Sequence, residues 1–239
     1  MNFMPRPQII LNFAITIDGK ASTAEQTPSG FTSAFDKHRL LEIRSRGDAL
    51  MVGRNTLLID QMSMGLPDEA LRRARLRRGQ SEYPIRVVIS NSGDLPVNLN
   101  IFKHRVSPIV VYSTTRMPET KQIELRLKAE LHLSTNDRLS LTEVLNDLYE
   151  TRQVRTLVCE GGPQLARALA ELDVVDELFL TIAPILAGGA NAPGILGTSG
   201  TFLPSSRIYR LESMKVEESE CYLHYVADRP SCTTPMRLS

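Results

Sequence analysis

The sequence is poor in the features that mark several protein classes. It has no tryptophan, only three cysteines, and 28 basic against 27 acidic residues, so its formal net charge is +1. Proteins that bind nucleic acid or membrane surfaces need a basic excess, which this chain lacks. It also has no apolar run long enough to span a bilayer and no secretory signal pattern in its first 20 residues. We therefore expect a cytoplasmic protein that binds neither nucleic acid nor membranes.

The cysteines and histidines argue against two further classes. Cys159, Cys221 and Cys232 are widely spaced and odd in number, which is atypical of a disulfide framework or a zinc finger. The histidines lie at positions 38, 104, 132 and 224. Their spacing matches no metal site, and none pairs with a nucleophile as a hydrolase triad would require. We expect no metal.

Segments typical of strands and helices alternate along most of the chain. Short apolar runs predict buried strands at 8–17, 48–53, 85–90, 109–112, 156–158 and 177–185. Capping pairs, Ser33 with Asp36 and Ser140 with Glu143, predict the starts of two helices. Residues 207–227 resemble two strands joined at Glu217-Glu218. This order predicts one α/β domain over residues 1–239, with a core of about 8–226, a mostly parallel sheet and a terminal antiparallel pair.

The segment from Cys159 to Leu165 joins a predicted strand to a predicted helix. Gly161 and Gly162 would let the backbone turn tightly and approach another molecule closely. Pro163 suits the first helical position, and the open amides after it favour an anion. The segment is either a phosphate-binding turn or an ordinary bend, because it is less than a full dinucleotide fingerprint.

Other polar residues follow predicted strands. Asp18 and Lys20 follow the first strand, Thr56 and Asp60 follow the second, and Glu160 follows the run that ends at 158. Ligands bind at the carboxyl ends of such strands, so the set predicts a nucleotide cleft. Taken singly, the Asp-Gly pair at 18–19 is also typical of a plain turn, and Thr56 with Asp60 could simply begin a helix.

An arginine cluster lies on a predicted helix that ends at Gly79. Its members are at positions 72, 73, 75, 77 and 78. One interpretation is a solvated, charged helix face. The alternative hypothesis is that part of the cluster binds a phosphate.

Five motifs, in this order, resemble the reductase domain of riboflavin biosynthesis, which is also the C-terminal half of the bacterial bifunctional deaminase–reductase. They are AITIDGK at 14–20, Arg44 with DALMVGRNT at 48–56 and Asp60, YPIRVVIS at 83–90, VCEGG at 158–162, and VDELFLTIAPILAG at 175–188. The resemblance implies a dihydrofolate-reductase-like three-layer fold with helices on both faces of the sheet. It also implies a homodimer, NADPH as cofactor, and hydride transfer to C1′ of a phosphorylated ribosylamino-pyrimidine.

The resemblance also implies roles for individual residues. Arg44 and Glu160 meet the substrate, with Arg44 suited to its phosphate. Asp18, Lys20 and Glu160 are the catalytic candidates, the first two for handling protons near the nicotinamide. The expected cofactor-binding residues are Ala14, Thr56, Asp60, Ser90, Gly161, Gly162, Pro163, Gln164 and Leu165.

The chain departs from the family pattern on the substrate side. Residues 61–67 read QMSMGLP where the family has other substrate contacts, and Pro28 stands near the position of a family serine. One alternative is therefore a reductase of the same fold acting on another imine, a carbonyl or a pterin-like substrate; another is a catalytically silent nucleotide-binding protein. The zinc-deaminase signature is absent from this sequence, which predicts the reductase activity alone.

Overall fold

A computed structural model describes residues 5–22, 33–198 and 200–228. These residues form two compact units. The first unit comprises residues 5–8 and 39–160, and the second comprises 9–22, 33–38, 161–198 and 200–228. The chain therefore passes from one unit to the other three times. The single domain over 1–239 stays a prediction.

The sheet of the first unit consists of the parallel strands β2 (Ala49–Gly53), β3 (Ile85–Ile89), β4 (Ile109–Thr114), β5 (Glu130–Ser134) and β6 (Thr156–Cys159). Their order across the sheet is β5-β4-β3-β2-β6. All six residues of β4 are buried, as a continuous apolar run in a parallel sheet predicts. Strand β5, at the edge, has only two apolar residues and was not predicted from the sequence.

Five helices belong wholly to the first unit. They are α2 (Arg54–Asp60), α3 (Glu69–Arg77), α4 (Asn100–Lys103), α5 (Glu119–Arg126) and α6 (Leu141–Glu150). The predicted cap of α6 is confirmed, because the hydroxyl of Ser140 accepts a hydrogen bond from the Glu143 amide at 3.3 Å. Helix α6 then buries Val144, Leu145 and Leu148 on one stripe.

The second unit contains β1 (Gln8–Thr16, from Ile9 onward), which pairs in parallel with β7 (Glu177–Ala183). Strand β9 (Glu220–Ala227) pairs antiparallel with both β7 and β8 (Tyr209–Glu217). The predicted terminal hairpin is thus confirmed, with its turn at residues 218–219, one position later than predicted. Helix α7 (Pro163–Glu171) follows the glycine turn.

Helix α1 (Ala34–Arg46) begins in the second unit and ends in the first. Its predicted cap is confirmed, because the Ser33 hydroxyl accepts a hydrogen bond from the Asp36 amide at 3.1 Å. No helix within the described ranges has the length and apolar character needed to cross a membrane. Within the same ranges no cluster of metal-ligating side chains occurs.

The arginine cluster on α3 is not simply a solvated face, so that interpretation was wrong for Arg75. This side chain is fully buried, and its guanidinium donates to the carbonyls of Ser81 at 2.9 Å and Ser45 at 3.0 Å. Arg78 donates to the same Ser45 carbonyl at 2.6 Å. These two side chains therefore cap the carbonyl end of α1. Desolvation lowers the pKa of Arg75 to about 10, and its hydrogen bonds to carbonyls leave it no phosphate-binding role.

Candidate functional site

Arg44 and Glu160 form a buried ion pair in the first unit. Arg44 lies in the last turn of α1, and Glu160 follows β6 at its carboxyl end. The guanidinium Nε donates to Oε1 and Nη2 donates to Oε2, both at 2.6 Å, and the side chains are only 9% and 4% exposed. Burial disfavours the Arg44 charge, but the Glu160 carboxylate outweighs it and raises the pKa of Arg44. This bidentate pairing fixes the plane of the Glu160 carboxylate.

A third hydrogen bond joins Arg44 to the segment that departs from the family pattern. The guanidinium Nη1 donates to the Gly65 carbonyl at 2.9 Å. Met64 and Leu66 on either side are each 1% exposed, so the segment is anchored in the core at these positions. Residues 61–67, which depart from the family pattern, are therefore packed within the first unit and contact Arg44, a candidate substrate-binding residue.

Asp60 is electrostatically coupled to the same pair. It ends α2, whose first turn contains Thr56, so the helix that the sequence left open as an alternative does form. Although the Asp60 residue is exposed overall, desolvation of its carboxyl and the negative charge of Glu160 raise its pKa. The structure thus brings together Arg44, Asp60 and Glu160, while Thr56 lies one helical turn away from Asp60 on α2.

Ser90 lies directly after β3 and is 4% exposed. Its amide donates to the Tyr112 carbonyl at 3.0 Å, and its hydroxyl accepts from the Gly93 amide at 2.9 Å. Ser90 therefore holds the turn at 90–93 in place. Its contact with a cofactor stays a prediction.

Asp18 holds a loop in the second unit. Its carboxylate accepts hydrogen bonds from the Thr16 hydroxyl at 2.6 Å and from the amides of Ala187 at 3.0 Å and Gly188 at 2.7 Å. The Thr16 hydroxyl and these two amides lower the pKa of Asp18 to about 2. A carboxyl with this pKa is ionised at neutral pH, and its hydrogen bonds anchor the loop. The expectation that Asp18 handles protons stays a prediction.

Lys20 belongs to the same turn. Its amide donates to the Thr16 hydroxyl at 3.0 Å, and its Nζ lies 3.5 Å from the Ala192 carbonyl. The predicted turn at 18–19 is confirmed, with Gly19 at a φ of +79°. Lys20 therefore keeps an ammonium group near the loop that Asp18 anchors, and its proton-handling role stays a prediction.

The predicted glycine turn leads directly into α7. Gly161 has a φ of +94° and is joined to Gly162 by a cis peptide bond. Gly162 has a φ of −85° and a ψ of −172°, offers no side-chain cap, and is followed by Pro163 at the first helical position. The first amides of α7, including those of Gln164 and Leu165, have no partner within the helix. The predicted strand-to-helix turn is thus confirmed, and its phosphate contact stays a prediction.

The loop from Ala187 to Gly197 contacts both candidate segments of the second unit. A Cβ atom at Gly194 would lie 3.3 Å from the Gly19 carbonyl, and one at Gly197 would lie 3.9 Å from the Cβ of Pro163. Sequence reasoning missed this role, because glycines, alanines and prolines give no chemical signal of their own. The density of glycine in the loop was the available clue, since close backbone packing needs residues without Cβ.

Ala14 lies in β1 opposite Thr181 of β7 and is half-buried. Pro28, near the second departure from the family pattern, lies outside the described residues.

The sequence profile of the RibD C-terminal domain matches residues 7–225. A protein of Archaeoglobus fulgidus named 2,5-diamino-6-ribosylamino-4(3H)-pyrimidinone 5′-phosphate reductase is 30% identical over 207 residues, which cover 87% of this chain and 93% of that protein. The protein of the same name from Methanothermobacter thermautotrophicus is 31% identical over 195 residues, covering 82% and 86%.

Solved structures share the fold. A pyrimidine reductase-like protein of Corynebacterium diphtheriae superposes with a TM-score of 0.77 at 19% identity, covering 94% of this chain and 93% of that one. A deaminase/5-amino-6-(5-phosphoribosylamino)uracil reductase of Thermotoga maritima gives 0.73 at 19% identity, covering 93% of this chain and 57% of that one. The expected dihydrofolate-reductase-like α/β fold is therefore confirmed.

Proposed function

This chain belongs to the family of the RibD C-terminal domain, and on that premise we propose that it is an NADPH-dependent reductase of a phosphorylated ribosylamino-pyrimidine. The substrate is 5-amino-6-(5-phosphoribosylamino)uracil or its diamino-pyrimidinone analogue, the compound in the names of the archaeal relatives. Hydride adds to C1′ of the ring-opened imine, and the imine nitrogen takes a proton, which converts ribosyl to ribityl. The cytoplasm is the proposed compartment, consistent with the thiol form of Cys159 and Cys221.

The observation that carries the proposal is the buried pair of Arg44 and Glu160. A carboxylate with a fixed plane can accept hydrogen bonds from substrate N–H or O–H groups in one orientation only. Arg44 also has N–H groups beyond the three bonds described above, which could meet the substrate phosphate. Orientation of this kind is the main contribution that a protein makes to hydride transfer from a nicotinamide.

Reductases of this family use a nicotinamide cofactor, and we propose NADPH. When bound, it supplies the hydride. We expect Thr56, Asp60, Ser90, Ala14 and the turn Gly161–Leu165 to hold it. The fit is best at that turn, because Gly162 has no side chain and the first amides of α7 lack helical partners.

The function is tested by following NADPH oxidation with each of the two pyrimidine phosphates and identifying the ribityl product by mass spectrometry. Turnover of either compound is the expected result, and a parallel series with NADH tests the choice of cofactor. Turnover only of a different imine, carbonyl or pterin-like compound would support the same-fold alternative, which the packed segment at 61–67 favours. Tight NADPH binding without any turnover would indicate a silent nucleotide-binding protein.

Replacing Gly162 with valine is expected to weaken NADPH binding about ten-fold or more, because the side chain would occupy the space into which a phosphate must come. The φ of Gly162 is one that valine also adopts, so the effect does not depend on positive-φ strain. Isothermal titration calorimetry measures the affinity. Gly200→Val is the matched control, since a Cβ there meets nothing within 4 Å. Unchanged affinity in Gly162→Val would remove this turn from the cofactor site.

We further propose that the protein forms a homodimer through one face of the second unit's sheet. Paired residues of neighbouring strands share a face, which gives the rows Leu178–Tyr225–Leu211, Leu180–Leu223–Met214 and Ile182–Cys221–Val216. On β8 these side chains are open to solvent: Leu211 is 45%, Met214 62% and Val216 59% exposed. A continuous apolar face of this kind is typical of an interface, and a second copy is the proposed occupant.

Replacing Val216 with glutamate is expected to convert the dimer to a monomer, because a charge inside an apolar interface would lose its hydration. Analytical ultracentrifugation gives the mass. Ile123→Glu on α5, where the side chain is 60% exposed, is the matched control and should stay dimeric. A monomeric wild-type protein, or a dimeric Val216→Glu variant, would contradict this interface.

A further inference from the structure

A cavity lies in the first unit, away from the candidate site. It has a volume of about 280 Å³ and opens at the amino ends of β3, β4 and β5. Glu160, by contrast, follows the carboxyl end of a strand in the same parallel sheet. The charged residues that line the cavity are Arg86, Arg105, Lys128 and Glu130. The cavity therefore has three cationic side chains and one anionic one.

Arg86 forms the buried part of this lining. It is the second residue of β3 and is 1% exposed. Its guanidinium donates to the Ser107 hydroxyl at 3.0 Å, the Ile101 carbonyl at 2.8 Å and the Ser107 carbonyl at 2.6 Å. All three acceptors are neutral, and within the described part of the chain no carboxylate pairs with it. Desolvation accordingly lowers the pKa of Arg86.

Glu130 does not supply the missing negative charge. Its carboxylate accepts from both terminal nitrogens of Arg152, at 2.6 Å and 3.0 Å. These hydrogen bonds are the main reason that the pKa of Glu130 falls to about 2. The Glu130 charge is therefore balanced by Arg152, outside the set of residues that line the cavity.

Arg105 and Lys128 complete the cationic lining from two chain segments. Both are exposed, so their charged ends can move to meet a ligand. Arg86 has five N–H groups and uses three of them in the contacts above, which leaves two donors. A buried guanidinium with no counter-anion is unfavourable, and an anion with several oxygen atoms would relieve this and accept those donors.

We propose that this cavity is a phosphate-binding site, separate from the reductase site, which takes free phosphate or the phosphate group of a small metabolite. Arg86 provides the fixed donors at its base, and Arg105 and Lys128 neutralise the remaining charge from its rim. The volume exceeds what one phosphate ion fills, which leaves room for a small organic group attached to it.

The proposal is tested by titrating inorganic phosphate, and separately glycerol phosphate, into the protein without NADPH or pyrimidine substrate. The variant Arg105→Glu with Lys128→Glu should lose at least about ten-fold in phosphate affinity by calorimetry. Lys37→Glu with Arg138→Glu is the matched control, because both residues are exposed, lie outside the cavity and change the net charge equally. Its affinity should stay close to that of the wild type.

The outcomes separate this site from the reductase site. Tighter binding of glycerol phosphate than of phosphate would identify a metabolite site, whereas equal affinities would identify a site for the phosphate group alone. No phosphate binding to the wild type, or the same binding in the Arg105→Glu, Lys128→Glu variant, would overturn the proposal. Unchanged phosphate binding in that double variant is also the result expected if phosphate binds only beside Arg44. Arg86→Met, if it folds, should behave like the double variant.

Discussion

Replacing Arg44 with alanine is expected to lower the free energy of unfolding by about 3–5 kcal/mol, because it leaves the Glu160 carboxylate buried without its partner. Both side chains are less than one-tenth exposed, so water cannot readily replace the lost guanidinium. The substitution also releases the Gly65 carbonyl from its hydrogen bond. Urea unfolding followed by circular dichroism measures the change, and it should be among the largest that a single substitution outside the hydrophobic core produces.

A double variant separates stability from function at this pair. Arg44→Met with Glu160→Leu removes both charges together, so its stability should lie much closer to that of the wild type. Its reductase activity should nevertheless be lost, since no carboxylate remains to orient the substrate. If Arg44→Ala changed the stability by less than about 1 kcal/mol, the pair would not be closed to water as described.

Arg44→Ala is also expected to change the steady-state kinetics of the reductase reaction. The KM for the phosphorylated substrate should rise, while the affinity for NADPH changes little. A fall in NADPH affinity instead would place Arg44 on the cofactor side of the site.

Replacing Gly93 with alanine is expected to destabilise the protein by about 3 kcal/mol, through left-handed strain and overpacking together. Gly93 has a φ of +65°, and a Cβ there would lie 2.2 Å from Cε, 2.6 Å from Cγ and 2.7 Å from Cβ of Met117. The near part of the Met117 side chain cannot swing away as its methyl group can. Differential scanning calorimetry should show a fall in Tm of roughly 6–12 °C for a protein of this size.

Gly79→Ala is the matched control for this substitution. Gly79 has a similar φ of +76°, but a Cβ there meets nothing within 4 Å. Its loss should be about 1 kcal/mol, from backbone strain alone. Equal losses at the two positions would mean that Met117 moves aside at no cost. Because the Gly93 amide binds the Ser90 hydroxyl, Gly93→Ala should also disturb the 90–93 turn.

The sequence predicted most of the regular structure because its signals were local. Continuous apolar runs marked six buried strands, and the serine caps at Ser33 and Ser140 marked two helix starts. Strand β5 was missed because ELHLS, with only two leucines, lacks the continuous apolar run that marked the other strands. Helix α4 has only four residues, too few for a periodic pattern to appear.

The sequence could not predict pairings between distant residues. Arg44 and Glu160 are 116 positions apart, and the resemblance assigned both to the substrate without indicating that they bind each other. Arg75 belongs to a cluster whose composition is typical of a solvated helix face, yet its guanidinium donates to the carbonyl of Ser45, 30 positions away. Asp18 accepts hydrogen bonds from two amides 169 and 170 positions further along the chain, which no local pattern indicates. In each case the partner is set by the fold.

The irregularity in β8 has a consequence for how the protein behaves at high concentration. The pairing of β8 with β9 shifts register between Leu211 and Ser213, and the outer strand also bears the charged residues Arg210, Glu212 and Lys215. A bulged, charged strand is a poor template for adding another strand in register. Strand-by-strand growth into fibrils is therefore blocked along this edge, even though the strand has several exposed apolar side chains. Deleting Glu212 would straighten β8 and weaken that protection, although Arg210 and Lys215 would remain.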